Sequence, residues 1–407
     1  MSSNKEYIFP SYDLLTTNQN VDSPVENHTE TMNQIVSLFA KFGIEVRPKR
    51  FSSNGIAGRY VVELLNGVRF SKIEALEDDF ESHLNEQIRI LKVNEASTFA
   101  VEIPLKYKKF LFLKEVFESP EWKDNNAILP IALGKDIEGN TIVKDLTKLK
   151  HILIAGGTLT GKTNTIYSII NSLLYKCTPT DLRFIIHDPK CVELPIYNKL
   201  PHMLSPVITD VSKLPAVLSW LVDEMEKRYR FLTKYAALDI EAYNTKQIDE
   251  ISNPYYPKMP YIVCVIDEIA HAMVIFNEEI ELSILRLLLL GHTVGIHLII
   301  ATQRTDSKII LERIQKFIPT KISRKLRSKI DSEIIFGEKG AEKLYFIWEM
   351  IFKDNETAES VRVNNAYGYD EEIESVVKAL KVNGAPIYSK ELLKSINLVK
   401  KENDNMK

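Results

Sequence analysis

The chain has 407 residues, of which 45% are hydrophobic and 26% charged, as is ordinary for a soluble globular protein of one or two domains. Its formal net charge of −3 excludes a global attraction to nucleic acid, so any contact with a polyanion must come from local basic patches. Three cysteines without metal-ligand spacing, and no apolar run long enough to span a bilayer, favour a cytoplasmic protein without a membrane segment.

Taken in chain order, the first segment is polar and lacks periodicity, which predicts a flexible leader over residues 1–25. A helix–strand–strand–helix–strand–strand pattern follows and predicts a small α+β domain over residues 26–104. From His151 onward, helical segments alternate with four short runs rich in β-branched residues, HILIA, RFIIH, YIVCVI and HLIIAT. That alternation is typical of an α/β fold with a mostly parallel, doubly wound sheet. The charged end predicts a frayed tail over residues 396–407.

A phosphate-binding loop follows the first of these strands. Gly156, Gly161, Lys162 and Thr163 complete a G-x4-G-K-[ST] pattern that opens an amphipathic helix, which is the context this motif requires. Lys162 would reach the β- and γ-phosphates of ATP, and the Thr163 hydroxyl would coordinate Mg²⁺. The predicted ATP-binding residues are Gly156, Gly157, Thr158, Leu159, Thr160, Gly161, Lys162, Thr163 and Asn164.

Leu159 is the unusual residue of this loop. A residue in the middle of the loop often needs a positive φ, which glycine adopts freely and leucine only at a cost of about 1–2 kcal/mol. We expect this strain to weaken the site without abolishing it.

Two later strands end in residues suited to ATP hydrolysis. The run YIVCVI ends in Asp267, which is placed to bind the Mg²⁺ shell, and in Glu268, which is placed to polarise an attacking water. The strand HLIIAT delivers Gln303, whose side chain would sense the γ-phosphate. Together with Lys162, these three residues form the predicted catalytic set.

Several segments resemble the FtsK/SpoIIIE family of DNA translocases, and they occur in the same order along the chain as in that family. They are LGKDIEGN before the loop, RFIIHDPKCVELPIYN after it, then MPYIVCVIDEIA, VGIHLIIATQR, IPTKI and SKIDS. The resemblance begins near FPSYDLL and reaches APIY, so it covers nearly the whole chain. It implies a RecA-like P-loop ATPase motor over residues 105–395, which uses ATP and Mg²⁺ and assembles as a hexameric ring around double-stranded DNA. Asp188 matches a D-P-K segment that the family has near the nucleotide.

The chain departs from the family pattern at three further places. His292 stands where the family usually has an arginine that reaches the neighbour's ATP, and Glu333 stands where arginine is typical. The stretch YFIWEMIF differs from the usual one, which contains Gly-Asp. Because an arginine finger is worth orders of magnitude in rate, these changes leave open a ring or clamp that binds ATP and DNA but turns over poorly. A conjugative or packaging motor of a mobile element is the other alternative.

Candidate DNA contacts follow the sensor strand. Lys308, Arg313 and Lys316 would face the pore of a ring and bind phosphates independently of base sequence. The denser basic group at Lys321, Arg324, Lys325, Arg327 and Lys329 is interpreted as a solvated face. With base reading absent, location and direction would be supplied by a loading or recruiting protein.

Overall fold

A computed structural model describes residues 6–17, 26–249, 258–303, 314–345, 347–356 and 360–405. These residues form two β-sheets with helices packed against them. Within these ranges, no helix combines the length and the apolar character needed to cross a bilayer.

The first sheet is small, antiparallel and close to the N-terminus. Its strands have the order β1-β2-β4-β3 and comprise β1 (Val46–Ser53), β2 (Ala57–Leu64), β3 (Arg89–Lys92) and β4 (Thr98–Pro104). They are accompanied by helices α1 (His28–Lys41), α2 (Phe70–Glu74) and α3 (Glu77–Leu84). The ring of Phe39 on α1 lies 4.4 Å from that of Phe80 and 5.2 Å from that of Phe99, so an aromatic core joins the helices to the sheet. These helices and strands are those of the small α+β domain that the sequence predicts.

The second sheet has nine strands among the described residues, in the order β6-β5-β13-β12-β11-β7-β10-β9-β8. The strands are β5 (Pro130–Asp136), β6 (Thr141–Asp145), β7 (Ile152–Ala155), β8 (Leu182–His187), β9 (Tyr261–Ile266), β10 (Ile296–Thr302), β11 (Thr320–Ser323), β12 (Glu349–Lys353) and β13 (Val361–Asn365). Strands β8, β9, β10, β7 and β11 are parallel, and the remaining four join antiparallel. The predicted α/β class is therefore confirmed, and its four predicted strands are β7 to β10.

Helices cover both faces of this sheet. They are α4 (Leu113–Phe117), α5 (Pro120–Lys123), α6 (Leu146–Leu149), α7 (Lys162–Leu174), α8 (Leu214–Lys234), α9 (Ile240–Asp249), α10 (Ile269–Ile275), α11 (Asn277–Leu290), α12 (Lys329–Phe336), α13 (Asp370–Leu380) and α14 (Lys390–Asn405). Helices α7 and α13 contribute to one apolar core, and α8 and α11 to the other. Because β7, β9 and β10 are buried along their whole length, they read as continuous apolar runs.

Described residues near both ends of the given sequence contact the domain that contains the nine-stranded sheet. Within residues 6–17, expected to be part of a flexible leader, Leu15 is buried, and Ile8 exchanges two hydrogen bonds of 2.8 Å with the side chain of Asn383. Within the expected tail, helix α14 runs to Asn405 and Ile396 is buried. Leu15 and Ile396 are apolar residues in otherwise polar segments, and they pack into the two cores beside the nine-stranded sheet.

A buried charge cluster joins the two sheets. Arg362 on β13 donates to Glu102 on β4 at 3.1 Å and to both carboxylate oxygens of Glu349 on β12 at 2.8 and 2.6 Å. Arg59 also donates to Glu102, at 2.7 Å, and Arg89 lies 4.0 Å from it. Burial alone would raise the pKa of Glu102, but the three arginines hold it at about 2. The small domain is therefore attached to the large one by a charge cluster in which Glu102, Glu349 and Arg362 are buried, while Arg59 and Arg89 at its edge are 18% and 15% exposed.

Buried histidines make the stability of this fold sensitive to acid. Burial lowers the pKa of His187, His202 and His297 from 6.5 to about 4, so the folded protein binds fewer protons than the unfolded chain between these values. The contribution of these histidines to the free energy of unfolding is fully present above pH ~6.5. It decreases toward pH ~4, by about 1.4 kcal/mol per pH unit for each histidine.

We expect urea unfolding to show this loss between pH 7 and 4.5. In the variant His187→Leu the slope should decrease by one proton, because both ring nitrogens of His187 lack partners within the described structure. The control His83→Gln alters an exposed histidine and should keep the original slope. Equal midpoints at pH 7 and pH 5 in the unmodified protein would contradict the assignment.

Candidate nucleotide site

The phosphate-binding loop connects β7 to α7 at the carboxyl edge of the parallel strands. Leu159 has a φ of 60°, as the sequence predicted, and its side chain is 89% exposed, so no packing compensates the backbone strain. Gly161 has a φ of 89°, and a Cβ there would lie 2.5 Å from the carbonyl oxygen of Ile347. At Gly156 a Cβ would lie 2.6 Å from that of Arg324. The two glycines are thus required by neighbouring atoms.

Lys162 is buried at the first position of α7. Its Nζ donates to the carbonyl oxygens of Gly156 at 2.9 Å and Gly157 at 2.5 Å, so the loop itself holds the ammonium. Burial lowers the pKa of Lys162 to about 8, and the nearby Glu268 carboxylate opposes that shift. An ammonium held in this way offers its charge to a phosphate at little cost in side-chain entropy.

Asp267 and Glu268 follow β9 beside this loop. One oxygen of Asp267 accepts from Lys190 Nζ at 2.8 Å, whereas the other, Oδ1, is buried without a hydrogen-bond partner among the described residues. Glu268 accepts from the Thr302 hydroxyl at 3.2 Å and from the Gln303 amide at 2.9 Å. The general-base candidate is therefore held by the end of the neighbouring strand.

Gln303 closes a connection back to the loop. Its side-chain Oε1 accepts from the hydroxyl of Thr158 at 3.1 Å, while its backbone N–H donates to Glu268. A movement of the loop can therefore displace Glu268, the candidate general base, through these two hydrogen bonds of Gln303. The structure thus brings together four residues singled out in the sequence, namely Thr158, Lys162, Glu268 and Gln303.

The residues present fit a magnesium ion that is bound together with phosphates. The Oδ1 of Asp267, which has no hydrogen-bond partner among the described residues, would supply an oxygen ligand, and Thr163 lies in the first turn of α7. In the described ranges there is no group of three or more His, Cys, Asp or Glu that could hold a metal. A Mg²⁺ here would consequently take most of its ligands from the nucleotide and water.

Asp188 and Lys190 form a support that the sequence signalled only in part. Asp188 accepts from the backbone amides of Lys190, Cys191 and Leu194 at 3.0, 3.1 and 3.2 Å, so it folds the segment after β8. This turn places Lys190 against Asp267. The D-P-K segment was visible in the sequence, but the ion pair of Lys190 was not.

Arg324 is the residue at this site that sequence reasoning missed. It was expected on a solvated basic face, yet its side chain is fully buried. Its Nε donates to the Thr165 hydroxyl at 2.9 Å, and Nη1 donates to the carbonyls of Ile347 and Glu349 at 3.0 and 3.1 Å. Burial lowers the pKa of Arg324 to about 9. This guanidinium joins the floor of the loop to β12, and through Glu349 to the charge cluster around Arg362.

The two positions that depart from the family's arginines lie elsewhere. His292 precedes β10, at the end of that strand opposite to Gln303, and its ring lies 6.1 Å from that of His151. Burial lowers its pKa, so the ring is neutral near pH 7. Glu333 is on α12, where it lies 4.0 Å from Lys339. Among the described residues, neither side chain has a hydrogen bond or an ion pair with the loop of its own chain.

The structure describes only some of the residues that the sequence predicts to contact DNA. Lys308 and Arg313 lie outside the described residues, whereas Lys316 is exposed before β11. Of the basic group from Lys321 to Lys329, Arg324 turns inward, and Lys321 is half-buried with a pKa that burial lowers. These positions remain predictions.

The chain is similar to known proteins over almost its whole length. Residues 112–307 match the FtsK/SpoIIIE family, and residues 9–105 match the FtsK alpha domain. A DNA translocase FtsK from Haemophilus influenzae is 36% identical over 411 residues, which cover 95% of this chain and 77% of that protein. One from Rickettsia typhi is 33% identical over 427 residues, which cover 96% and 57%. The chain spans about half the length of several other relatives.

Among solved structures, the pCW3 conjugation coupling protein TcpA, in a monomer form with ATPγS, superimposes with a TM-score of 0.58. Its sequence is 22% identical, and the alignment covers 86% of this chain and 99% of that one. At this level of identity the similarity concerns the fold.

Proposed function

Because the chain belongs to the FtsK/SpoIIIE family, we propose that it is an ATPase that couples ATP hydrolysis to movement along double-stranded DNA. One observation carries the proposal. Glu268 lies at the tip of β9 and is hydrogen-bonded to Thr302 and Gln303, while Gln303 also binds the loop residue Thr158. A phosphate-binding loop that is connected in this way to a general base supports hydrolysis and not binding alone.

Each residue of the site has a separate role in ATP hydrolysis. Lys162 moves its hydrogen bonds from the loop carbonyls to the β- and γ-phosphates, and the loop amides bind the remaining phosphate oxygens. Glu268 accepts a hydrogen bond from the attacking water and orients it in line with the γ-phosphate. Thr163 and Asp267 would hold Mg²⁺, which neutralises charge that develops between the phosphates. Gln303 transmits the state of the loop to the segment that follows β10.

A motor whose ATP lies at the interface between protomers needs a neighbour to complete each site. We infer a homohexameric ring in which the segment after β10 faces the duplex, with Lys308, Arg313 and Lys316 on its phosphates. The neutral His292 would stand at the boundary where an arginine from a neighbour usually completes the site. A ring that binds ATP and DNA but hydrolyses slowly is therefore the second candidate, and it is favoured by the lowered pKa of His292.

We expect ATPase activity to rise when double-stranded DNA is added, and unrelated duplexes to act alike, since phosphate contacts carry no base information. Steady-state phosphate release with and without DNA, at one fixed salt concentration, measures the effect. Neutralising Lys308 and Arg313 together should weaken DNA binding and flatten its salt dependence. ATP binding without any DNA-stimulated hydrolysis would instead support the clamp, and a preference of 100-fold or more for one short duplex motif would contradict sequence-independent binding.

A further inference from the structure

Arg324 differs from the other buried arginines in its partners. Among the described residues three arginines are buried, namely Arg228, Arg324 and Arg362. Arg228 pairs with Glu224 at 2.9 Å, and Arg362 pairs with Glu349 at 2.6 Å. Arg324 instead donates to one hydroxyl and two carbonyl groups, and its Nη2 has no partner within the described structure. In this part of the chain, therefore, one buried guanidinium has no carboxylate in contact with it.

Glu349 is the acid that acts on Arg324, and it is already paired elsewhere. Burial lowers the pKa of Arg324 to about 9, with the charge of Glu349 opposing that shift, so the guanidinium is still a cation at pH 7. Arg324 binds the backbone carbonyl of Glu349 and not its carboxylate, whose two oxygens accept from Arg362 at 2.8 and 2.6 Å. A buried charge in this state is costly unless another group supplies the opposite sign.

The guanidinium lies against the buried side of the phosphate-binding loop. A Cβ at Gly156 would lie 2.6 Å from the Cβ of Arg324, and a Cβ at Gly161 would lie 3.5 Å from its Cζ. The backbone amide of Arg324 also donates to the carbonyl of Ala155 at 2.8 Å. The charge of Arg324 is therefore fixed behind the two glycines that begin and end the loop.

The charge of Arg324 acts on the loop through space. Burial is the main reason that the pKa of Lys162 falls to about 8, and the positive charges of Lys190 and Arg324 contribute to that fall. Two cations, Lys162 and Arg324, thus repel each other across one short loop. Because buried charges interact over several ångströms with little screening, Arg324 can attract an anion without touching it. A triphosphate carries enough negative charge to neutralise both cations.

We propose that Arg324 determines the affinity of the loop for phosphates, as a buried cation whose counter-charge is the bound triphosphate. This inference rests on the proposed function, since it assumes that the loop binds a nucleoside triphosphate. Arg324 is then a positioning residue and not a catalytic one, because it contacts the loop and not the reacting atoms. The protein without nucleotide tolerates an unpaired charge in its interior, and nucleotide binding relieves that cost.

The test separates the charge of Arg324 from its hydrogen bonds. Arg324→Gln removes the charge but keeps an N–H donor, and it should weaken the binding of ATP and of magnesium tripolyphosphate alike, by about 10- to 100-fold. Arg324→Lys keeps the charge but loses the planar guanidinium, and its affinity should lie closer to that of the unmodified protein. Isothermal titration calorimetry measures both ligands. At one fixed concentration, tripolyphosphate should also raise the urea midpoint less in Arg324→Gln than in the unmodified protein.

Arg228→Gln is the matched control, because it makes the same change at a buried arginine that has its own carboxylate partner. It should lower the urea midpoint without ligand and leave tripolyphosphate affinity unchanged. Equal losses of affinity in Arg324→Gln and Arg324→Lys would overturn the proposal, since the hydrogen bonds would then be responsible, and so would an unchanged affinity in Arg324→Gln.

Should Arg324→Gln fail to fold, a loss of about 10-fold or more in Arg324→Lys would overturn the proposal by itself, and a smaller loss would support it. If the unmodified protein bound neither ATP nor tripolyphosphate, the proposed ATPase function would itself fail.

Discussion

Glu268→Gln is expected to lower the rate of ATP hydrolysis about 10²- to 10⁴-fold while ATP still binds. Glutamine has the size of glutamate, and its amide oxygen can still accept from the backbone of Gln303, which donates to Glu268 at 2.9 Å. What it loses is the basic oxygen that orients and polarises the attacking water. Single-turnover hydrolysis with DNA present measures the chemical step, and a fluorescent ATP analogue measures binding.

Two further variants separate chemistry from binding. Lys162→Ala should remove ATP binding, because the buried ammonium held by Gly156 and Gly157 has no substitute in the loop. Glu278→Gln makes the same chemical change at an exposed position on α11 and should leave both measurements unaltered. If Glu268→Gln hydrolysed ATP at the unmodified rate, the general base would have to be another residue.

Arg362→Leu is expected to lower the free energy of unfolding by about 3–5 kcal/mol. The change removes the charge that Glu349 and Glu102 share inside the protein and leaves two buried carboxylates with fewer partners. Because Arg362 is one of the charges that hold the pKa of Glu102 at about 2, Glu102 would gain a proton more readily in the variant, and the difference from the unmodified protein should shrink as the pH is lowered from 7 to 5. Urea denaturation at the two pH values measures it.

Arg286→Leu is the matched control, because Arg286 pairs with Glu226 at the surface, where each side chain is 44% exposed. Exposed pairs contribute little to stability, so this variant should unfold near the midpoint of the unmodified protein. A small loss for Arg362→Leu that did not depend on pH would show that the cluster around Glu102 contributes packing and not charge.

The parts of the site that could be predicted from sequence are those specified by short contiguous patterns. Gly156, Gly161 and Lys162 belong to one motif, and Asp267 and Glu268 follow one apolar strand. In each case the strand that delivers the residues is recognisable by its own composition. The positive φ of Leu159 was also predictable, because it depends on the local geometry of the loop.

The parts that escaped prediction depend on contacts between distant residues. Arg324 is one of five cations in a short stretch, and nothing local distinguishes it from its neighbours. It turns inward because Thr165, 159 positions earlier, and the carbonyls of Ile347 and Glu349 offer acceptors there. The pair of Lys190 with Asp267 likewise joins residues 77 positions apart. Such contacts arise from the order of the strands, which composition does not specify.

The attachment of Ile8 to Asn383 has a consequence for synthesis of the protein. The two residues are 375 positions apart, and a ribosome adding roughly 5–20 residues per second takes on the order of 20–75 s to travel between them. The partners that Tyr12 finds in Trp122 and Tyr175 emerge much earlier. The hydrogen bonds of Ile8 can therefore form only after Asn383 has been translated, well after Tyr12 can pack against Trp122 and Tyr175. During that interval the backbone amide and carbonyl of Ile8, which pair with Asn383 in the folded protein, are open to water, to chaperones or to neighbouring nascent chains.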